Sequence, residues 1–270
     1  MNHLLIIDPQ NDFCDILGAA LPVAGADADL QRLSRLIQTH GAHIDGITVT
    51  LDSHASVAVE RTTFWQTAQG EAVAPFTFIS AADVRARRYG PRDPALTAGV
   101  IAMLEQLAAQ GRPGLVVWPV HCVTGTWGHN LHSALADQLQ AWEFARQRAV
   151  RKVLKGEYPL SEHFGVFEAD VPAPGVASTQ FNTPLAQALT CGVDLLLVAG
   201  EASSHCVAAS FDQLAAYLAK SQGPQPRLVL LRDCMSAVPG FESASQAFFA
   251  RAQAFGAELM TAAEAGALLA

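Results

Sequence analysis

Cys206 stands where a cysteine can become a nucleophile. It follows the continuous apolar run 194–199, which suits a strand buried on both faces of a parallel sheet, and the break at Gly200. Val207, Phe211, Leu214 and Leu218 then recur at helical spacing, so a helix begins at once, with Cys206 at or next to its first position. The unpaired N–H groups there carry partial positive charge and favour thiolate over thiol. A free cysteine is as often a small buried packing residue. Its company decides between the two. Asp8 closes the run 4–7, Asp52 and His54 follow 46–51, His121 follows 115–120, and Lys155 follows 149–154. Singly these are a turn-capping acid, satisfied structural histidines and a surface lysine. In a parallel α/β sheet, however, ligands bind beyond the carboxyl ends of the strands, so all of them share one rim with Cys206. Asp52, His54 and His121 make a carboxylate-plus-two-imidazole set that suits zinc, iron or manganese; the same three can instead hydrogen-bond one another.

The placement rests on alternating elements. Strands are expected at 4–7, 46–51, 115–120, 149–154, 194–199, 227–231 and 258–260. Helices are expected at 29–37, 95–109, 129–146, 184–189, 207–218 and 243–255. Strands alternating with helices predict a three-layer α/β fold, a mostly parallel sheet with helices on both faces. Between residues 59 and 112 the pattern loosens around an arginine group (Arg85, Arg87, Arg88, Arg92). This stretch reads as an insertion on a single domain spanning residues 1–270, with no core of its own.

Composition narrows the partners. The chain has 270 residues, half of them hydrophobic and 16% charged, ample for a sizeable core. A net charge of −8 argues against nucleic acid or an anionic membrane surface. No apolar run approaches a membrane span, and the opening NHLLIIDPQNDF lacks the basic region and apolar core of an export signal. Five cysteines without paired spacing suit a reducing compartment, so a cytoplasmic location is expected.

The segments LIIDPQNDF, TLDSH, WPVHCVTGTWG and LKG, with the strand–turn–Cys stretch, resemble the nicotinamidase branch of the isochorismatase-like cysteine hydrolases. The likeness covers roughly residues 4–56 and 115–233. It implies a three-layer α/β fold and a triad of Cys206 as nucleophile, Asp8 as acid and Lys155. It further implies an oxyanion hole from the backbone N–H groups of Ala202 and Cys206, and a cis bond between Glu201 and Ala202. For nicotinamidases it implies a divalent metal, zinc foremost with iron or manganese as alternatives, on Asp52, His54 and His121. Glu60 falls where some relatives place a fourth ligand. Phe13 and Trp118 match aromatic positions that sandwich a pyridine ring, or else they pack the core. Asp8 can take the thiol proton and return it to a leaving amine, and Lys155 supplies a cation that favours thiolate.

The chain departs from the pattern at Ser53, where a tryptophan is common, at Ser203–His205 before the nucleophile, and at Glu201, a position usually aliphatic. The expected activity is therefore a metal-containing cysteine amidohydrolase that deamidates nicotinamide or a similar small aromatic amide. The alternatives are a relative acting on an N-carbamoyl compound or ureide, and a catalytically silent binding protein. The expected partners are a small-molecule amide and further copies of the chain. His129, His132 and His163 read as exposed or helix-face residues, and Cys14, Cys122, Cys191 and Cys234 as structural; His205 stays open.

Overall fold

In a computed structural model, which describes residues 1–269, the strands of the central sheet feed two apolar layers at once. The alternation of a strand is the reason: β1 (Asn2–Ile7) sends Leu4 and Ile6 to one layer and Leu5 and Ile7 to the other. The first layer is closed by α1 (Ala26–His40), whose Leu30, Leu33 and Ile37 lie on one stripe, and by two helices further along. After α1 comes β2 (Gly46–Asp52), then a long excursion with three short strands, β3 (Trp65–Thr67), β4 (Phe78–Ile79) and β5 (Tyr89–Pro91). It also holds α2 (Ala81–Arg85) and α3 (Thr97–Ala109), and it leads into β6 (Leu115–Val116). Next are α4 (Ser133–Arg146), which joins α1 in the first layer, and β7 (Arg151–Lys155).

The second half supplies the opposite layer. It runs through α5 (Thr183–Thr190), β8 (Leu195–Gly200), α6 (Cys206–Leu218), β9 (Arg227–Leu231) and α7 (Glu242–Phe255). It ends with β10 (Glu258–Met260) and α8 (Ala262–Leu269). Helices α5, α6 and α7 bury Leu189, Phe211 and Phe248 in the second layer, while α8 returns Ala265 to the first. The six-stranded sheet has the order β10-β9-β8-β1-β2-β7, and every pairing is parallel. This is the expected three-layer α/β architecture.

The stretch 115–120 does not enter that sheet. Only Leu115 and Val116 form a strand, and they pair antiparallel with β4. The edge beside β2 is taken by β7 in the register Asp52↔Lys155, and Pro119 has no N–H to offer a ladder. Val117 and Trp118 instead donate to Thr77 O and Glu60 O at 2.8 and 2.7 Å, tying the stretch to the excursion. The excursion also gathers its own apolar cluster, with Val59, Trp65, Ile79, Val100, Leu104 and Leu107 buried together, so it has the core that sequence did not show. No described helix is long and apolar enough to cross a membrane.

Candidate active site

Adjacent parallel strands deliver the first residues. Asp8 leaves β1 with φ 42°, a left-handed conformation that turns its side chain out of the strand path. Its backbone N–H donates to Thr50 Oγ1 at 3.0 Å, and the Thr50 hydroxyl donates back to its carboxylate. Asp52 and Lys155 end β2 and β7 as register partners. Lys155 is 2% exposed, and its Nζ lies 2.9 Å from Asp8 Oδ2, 2.8 Å from Asp52 Oδ1 and 3.6 Å from Cys206 Sγ. A hydrogen bond to His163 O at 3.0 Å completes its surroundings. Cys206 opens α6, and the Glu201–Ala202 peptide bond is cis, as the resemblance implied. The N–H groups of Ala202 and Cys206 have no protein acceptor among the described residues, so both are free for a ligand oxygen.

Burial sets the protonation states. It opposes the Lys155 charge, but Asp52 and Asp8 more than offset that and hold the ammonium well above its ordinary range. Burial likewise opposes ionisation of Asp52, yet His54 and Lys155 keep it well below the usual carboxylate range. Asp8 is raised by burial against the pull of Lys155. Cys206 differs from expectation: burial pushes its thiol well above the ordinary value, and Lys155 does not reverse this because Asp8 and Asp52 add to the rise. The resting group is a thiol with Asp8 beside it, not a preformed thiolate.

The three candidate metal ligands converge although His121 reaches the site from a loop. Asp52, His54 and His121 each offer a donor atom, all within 4.8 Å of one another and all buried. His54 Nε2 is 2.7 Å and His121 Nε2 is 3.5 Å from the same oxygen, Asp52 Oδ2. His54 Nδ1 lies 3.0 Å from Glu60 Oε1 without a hydrogen bond to it, while His121 Nδ1 is tied back to Pro119 O at 2.8 Å. Metal-binding histidines are oriented in this way, so the donor set fits a divalent ion. Glu60 stands behind His54 and outside the converging set, and no other donor joins it among the described residues. Arg61, which sequence reasoning passed over, is fully buried with Nη1 2.9 Å from His121 Nε2, where it competes with a cation. Burial and then Arg61 lower His121 to about 4, whereas Asp52 overcomes burial and raises His54 to about 9.

Beside these groups opens a narrow cavity. Phe13 and Trp118 both line it; Phe13 lies edge-on to His121 at 5.2 Å, and Trp118 edge-on to His205 at 5.2 Å. Ala202 and Cys206 form part of the same wall. Glu162 and Phe164 also line it without having been singled out from sequence; Glu162 Oε2 accepts from Trp118 Nε1 at 3.2 Å. Burial and the nearby Glu60 push Glu162 up to about 8. Their only sequence signal was position, a loop following Lys155 on the same rim. His205 lines the cavity too, its Nδ1 2.8 Å from Ser204 Oγ. From the excursion, Phe76 reaches Trp118 at 5.8 Å, while Phe64 and Trp65 stay in their own cluster.

His129, His132 and His163 are buried, contrary to expectation. His129 Nε2 meets Ser53 Oγ at 2.8 Å, His132 Nε2 pairs with Asp27 at 2.8 Å, and His163 Nδ1 accepts from Gly156 N–H at 3.3 Å. Ser53 thus serves as a hydrogen-bond partner where a tryptophan is common. Within the arginine group, Arg85 pairs with Glu105 and Arg88 with Asp83, away from the cavity.

Neither protein-family models nor curated proteins give a match to this chain. Solved structures do. The yeast nicotinamidase Pnc1p is similar at 20% identity and TM-score 0.64, over 96% of this chain and 99% of its own. A nicotinamidase/pyrazinamidase of Acinetobacter baumanii is similar at 17% identity and TM-score 0.64, over 97% of both chains. The pyrazinamidase of Pyrococcus horikoshii, determined in complex with zinc, is similar at 19% identity and TM-score 0.53, over 96% of this chain and 98% of its own. The resemblance carried by the motifs therefore holds at the level of architecture: this chain shares the fold of nicotinamidases and pyrazinamidases.

Proposed function

We propose that this chain is a metal-containing cysteine amidohydrolase that converts nicotinamide, or a similar small aromatic amide, to the acid and ammonia. On this reading residues 1–270 form one hydrolase domain carrying the 59–112 segment. The observation that carries the reading is Lys155 Nζ set among Asp8, Asp52 and Cys206 at the wall of an aromatic-lined cavity. A binding protein has no use for a buried lysine bridging two carboxylates beside a thiol.

Asp8 takes the proton of the Cys206 thiol as sulfur attacks the amide carbon. The carbonyl oxygen becomes an oxyanion facing the N–H groups of Ala202 and Cys206, and such donors are worth about 10²–10³ in rate. Asp8 returns its proton to the nitrogen, the C–N bond breaks, and ammonia leaves a thioester. Water then attacks the thioester carbon while Asp8 takes its proton, the C–S bond breaks, and Cys206 is reprotonated. Lys155 holds Asp8 in place and keeps positive charge beside the sulfur throughout. Asp52, His54 and His121 would hold a divalent ion, zinc foremost, which supplies a Lewis-acid anchor for a heteroatom of the substrate ring. Phe13 and Trp118 would flank a flat ring, at about 1 kcal/mol of stacking beyond area burial.

Ammonia release from a panel of amides, with and without chelator, tests the proposal. Nicotinamide or pyrazinamide should be hydrolysed by the metal-loaded protein, Cys206→Ala should abolish turnover, and Trp118→Ala should raise KM more than it lowers kcat. Hydrolysis of a ureide or carbamoyl compound instead would exclude the aromatic amide while keeping the cysteine hydrolase. No turnover of any member would leave a binding protein.

A further inference from the structure

Trp118 is held from two sides. Its backbone is bound to the excursion, its N–H on Glu60 O at 2.7 Å and its carbonyl oxygen accepting from the Thr62 N–H at 3.2 Å. The residue is 3% exposed, and its ring sits edge-on to Phe76, Phe164 and His205 at 5.8, 6.3 and 5.2 Å. Apolar contacts set no single direction, whereas a buried indole N–H needs an acceptor in line with it and so fixes the rotation of the ring. That acceptor is Glu162 Oε2, at 3.2 Å, on the loop after β7.

Glu162 reaches from this ring to the catalytic lysine. Its Oε1 accepts from the His163 N–H at 3.0 Å, and His163 O accepts from Lys155 Nζ at 3.0 Å. The loop beneath is tied down: Glu162 O accepts from the Asp170 N–H at 2.8 Å, and Ser161 Oγ accepts from the Val171 N–H at 3.1 Å. The carboxyl is buried and lines the cavity, with both oxygens already engaged by N–H donors. It is thus placed to hold its neighbours rather than to bond a ligand. A carboxyl can accept at both oxygens, whereas a carboxamide accepts at one only, so a glutamine in its place cannot serve both donors.

We propose that Glu162 is a positioning residue that fixes the Trp118 ring against the substrate and, through His163, the Lys155 ammonium beside Asp8 and Cys206. This rests on the amidohydrolase reading. With the indole pinned, the stacking wall is ordered before the substrate arrives, and binding need not immobilise it. Without the carboxyl, the Trp118 N–H is left buried and unpaired, so the ring turns away from its stacking position in search of another acceptor.

Glu162→Ala, Trp118→Phe and the double variant, assayed on nicotinamide and pyrazinamide, test the role. Heteronuclear NMR of the four tryptophan indole N–H groups adds a readout that needs no turnover. Trp118→Phe keeps a flat ring without an N–H, and it identifies the Trp118 resonance by its loss. Glu162→Ala should raise KM about fivefold, the stacking that a loosened ring forfeits, and lower kcat about threefold through Lys155. In the Trp118→Phe background the KM effect should shrink to within about twofold while the fall in kcat persists. The Trp118 indole proton should move upfield in Glu162→Ala, as a lost hydrogen bond requires. A KM rise of equal size in both backgrounds, an undiminished kcat or an unmoved indole resonance overturns the role of Glu162 alone. A wild type that hydrolyses neither amide overturns the aromatic-amide reading and this role with it. Should Glu162→Ala fail to fold, Glu162→Gln decides. It should lower kcat/KM about threefold or more in the wild-type background and stay within about twofold in Trp118→Phe, where one oxygen meets the one remaining donor; equal effects overturn the role.

Discussion

Lys155→Met removes the cation lying between Asp8 and Asp52 while keeping much of the lysine's volume. The lysine is 2% exposed, Asp8 0% and Asp52 4%, and the two ion-pair distances are 2.9 and 2.8 Å, so water cannot replace the lost charge. Breaking a buried pair by removing one partner costs about 3–5 kcal/mol. At about 2–4 °C per kcal/mol for a chain of this size, Tm should fall by about 6–20 °C near neutral pH. The pH dependence has a definite sign. In the wild type Asp52 is held below its unfolded value, so its stabilisation is present above that value and lost only in acid. In the variant both carboxyls lose their lysine, their folded values rise, and the folded state weakens further as pH increases. The gap between variant and wild type should therefore widen from about pH 5 to pH 8. Calorimetry in the presence of a chelator, which keeps any ion on Asp52 from substituting for lysine, measures it. A gap that does not change with pH, or a Tm within about 2 °C of wild type at neutral pH, would refute the reasoning.

Two further outcomes follow from the same electrostatics. His54 is held at about 9 chiefly by Asp52 against burial, so a metal taking its Nε2 must displace a proton. Metal affinity measured by competition with a chromophoric chelator should strengthen about tenfold per pH unit up to that value, and His54→Ala should lose both the binding and this slope. Among the cysteines, Cys191 is exposed whereas Cys206 is buried with its thiol pushed up, so iodoacetamide near neutral pH should label Cys191 first. Peptide mapping that finds Cys206 modified ahead of Cys191 would show that Lys155 outweighs burial after all.

Much of the site was legible because strand ends announce themselves. The apolar runs before Asp8, Asp52, Lys155 and Cys206 are local patterns, and a parallel sheet places whatever follows such runs on one rim. The helix after Cys206 was equally local, since side chains at 3.6-residue spacing need no distant partner to be recognised. The stretch 115–120 looked like another strand of the sheet by the same test, yet only Leu115 and Val116 form a strand, and it lies outside that sheet. An apolar run records that residues are buried, not against what, and competition for the edge of β2 was settled by β7. His121 arrived beside Asp52 and His54 all the same, carried by bonds from its loop to the excursion.

Sequence alone determined the strand–helix alternation, the rim and the reactive residue types upon it, because each is written in a few neighbouring positions. The tertiary structure decided everything that depends on distance and dielectric. It placed Arg61 against His121, Glu162 in the cavity wall and Glu201 fully buried in the turn before Cys206. It also reversed the expected state of Cys206: the helix start and lysine that favour thiolate are visible in sequence, but the burial and the two carboxylates that oppose it appear only when separate strands come together.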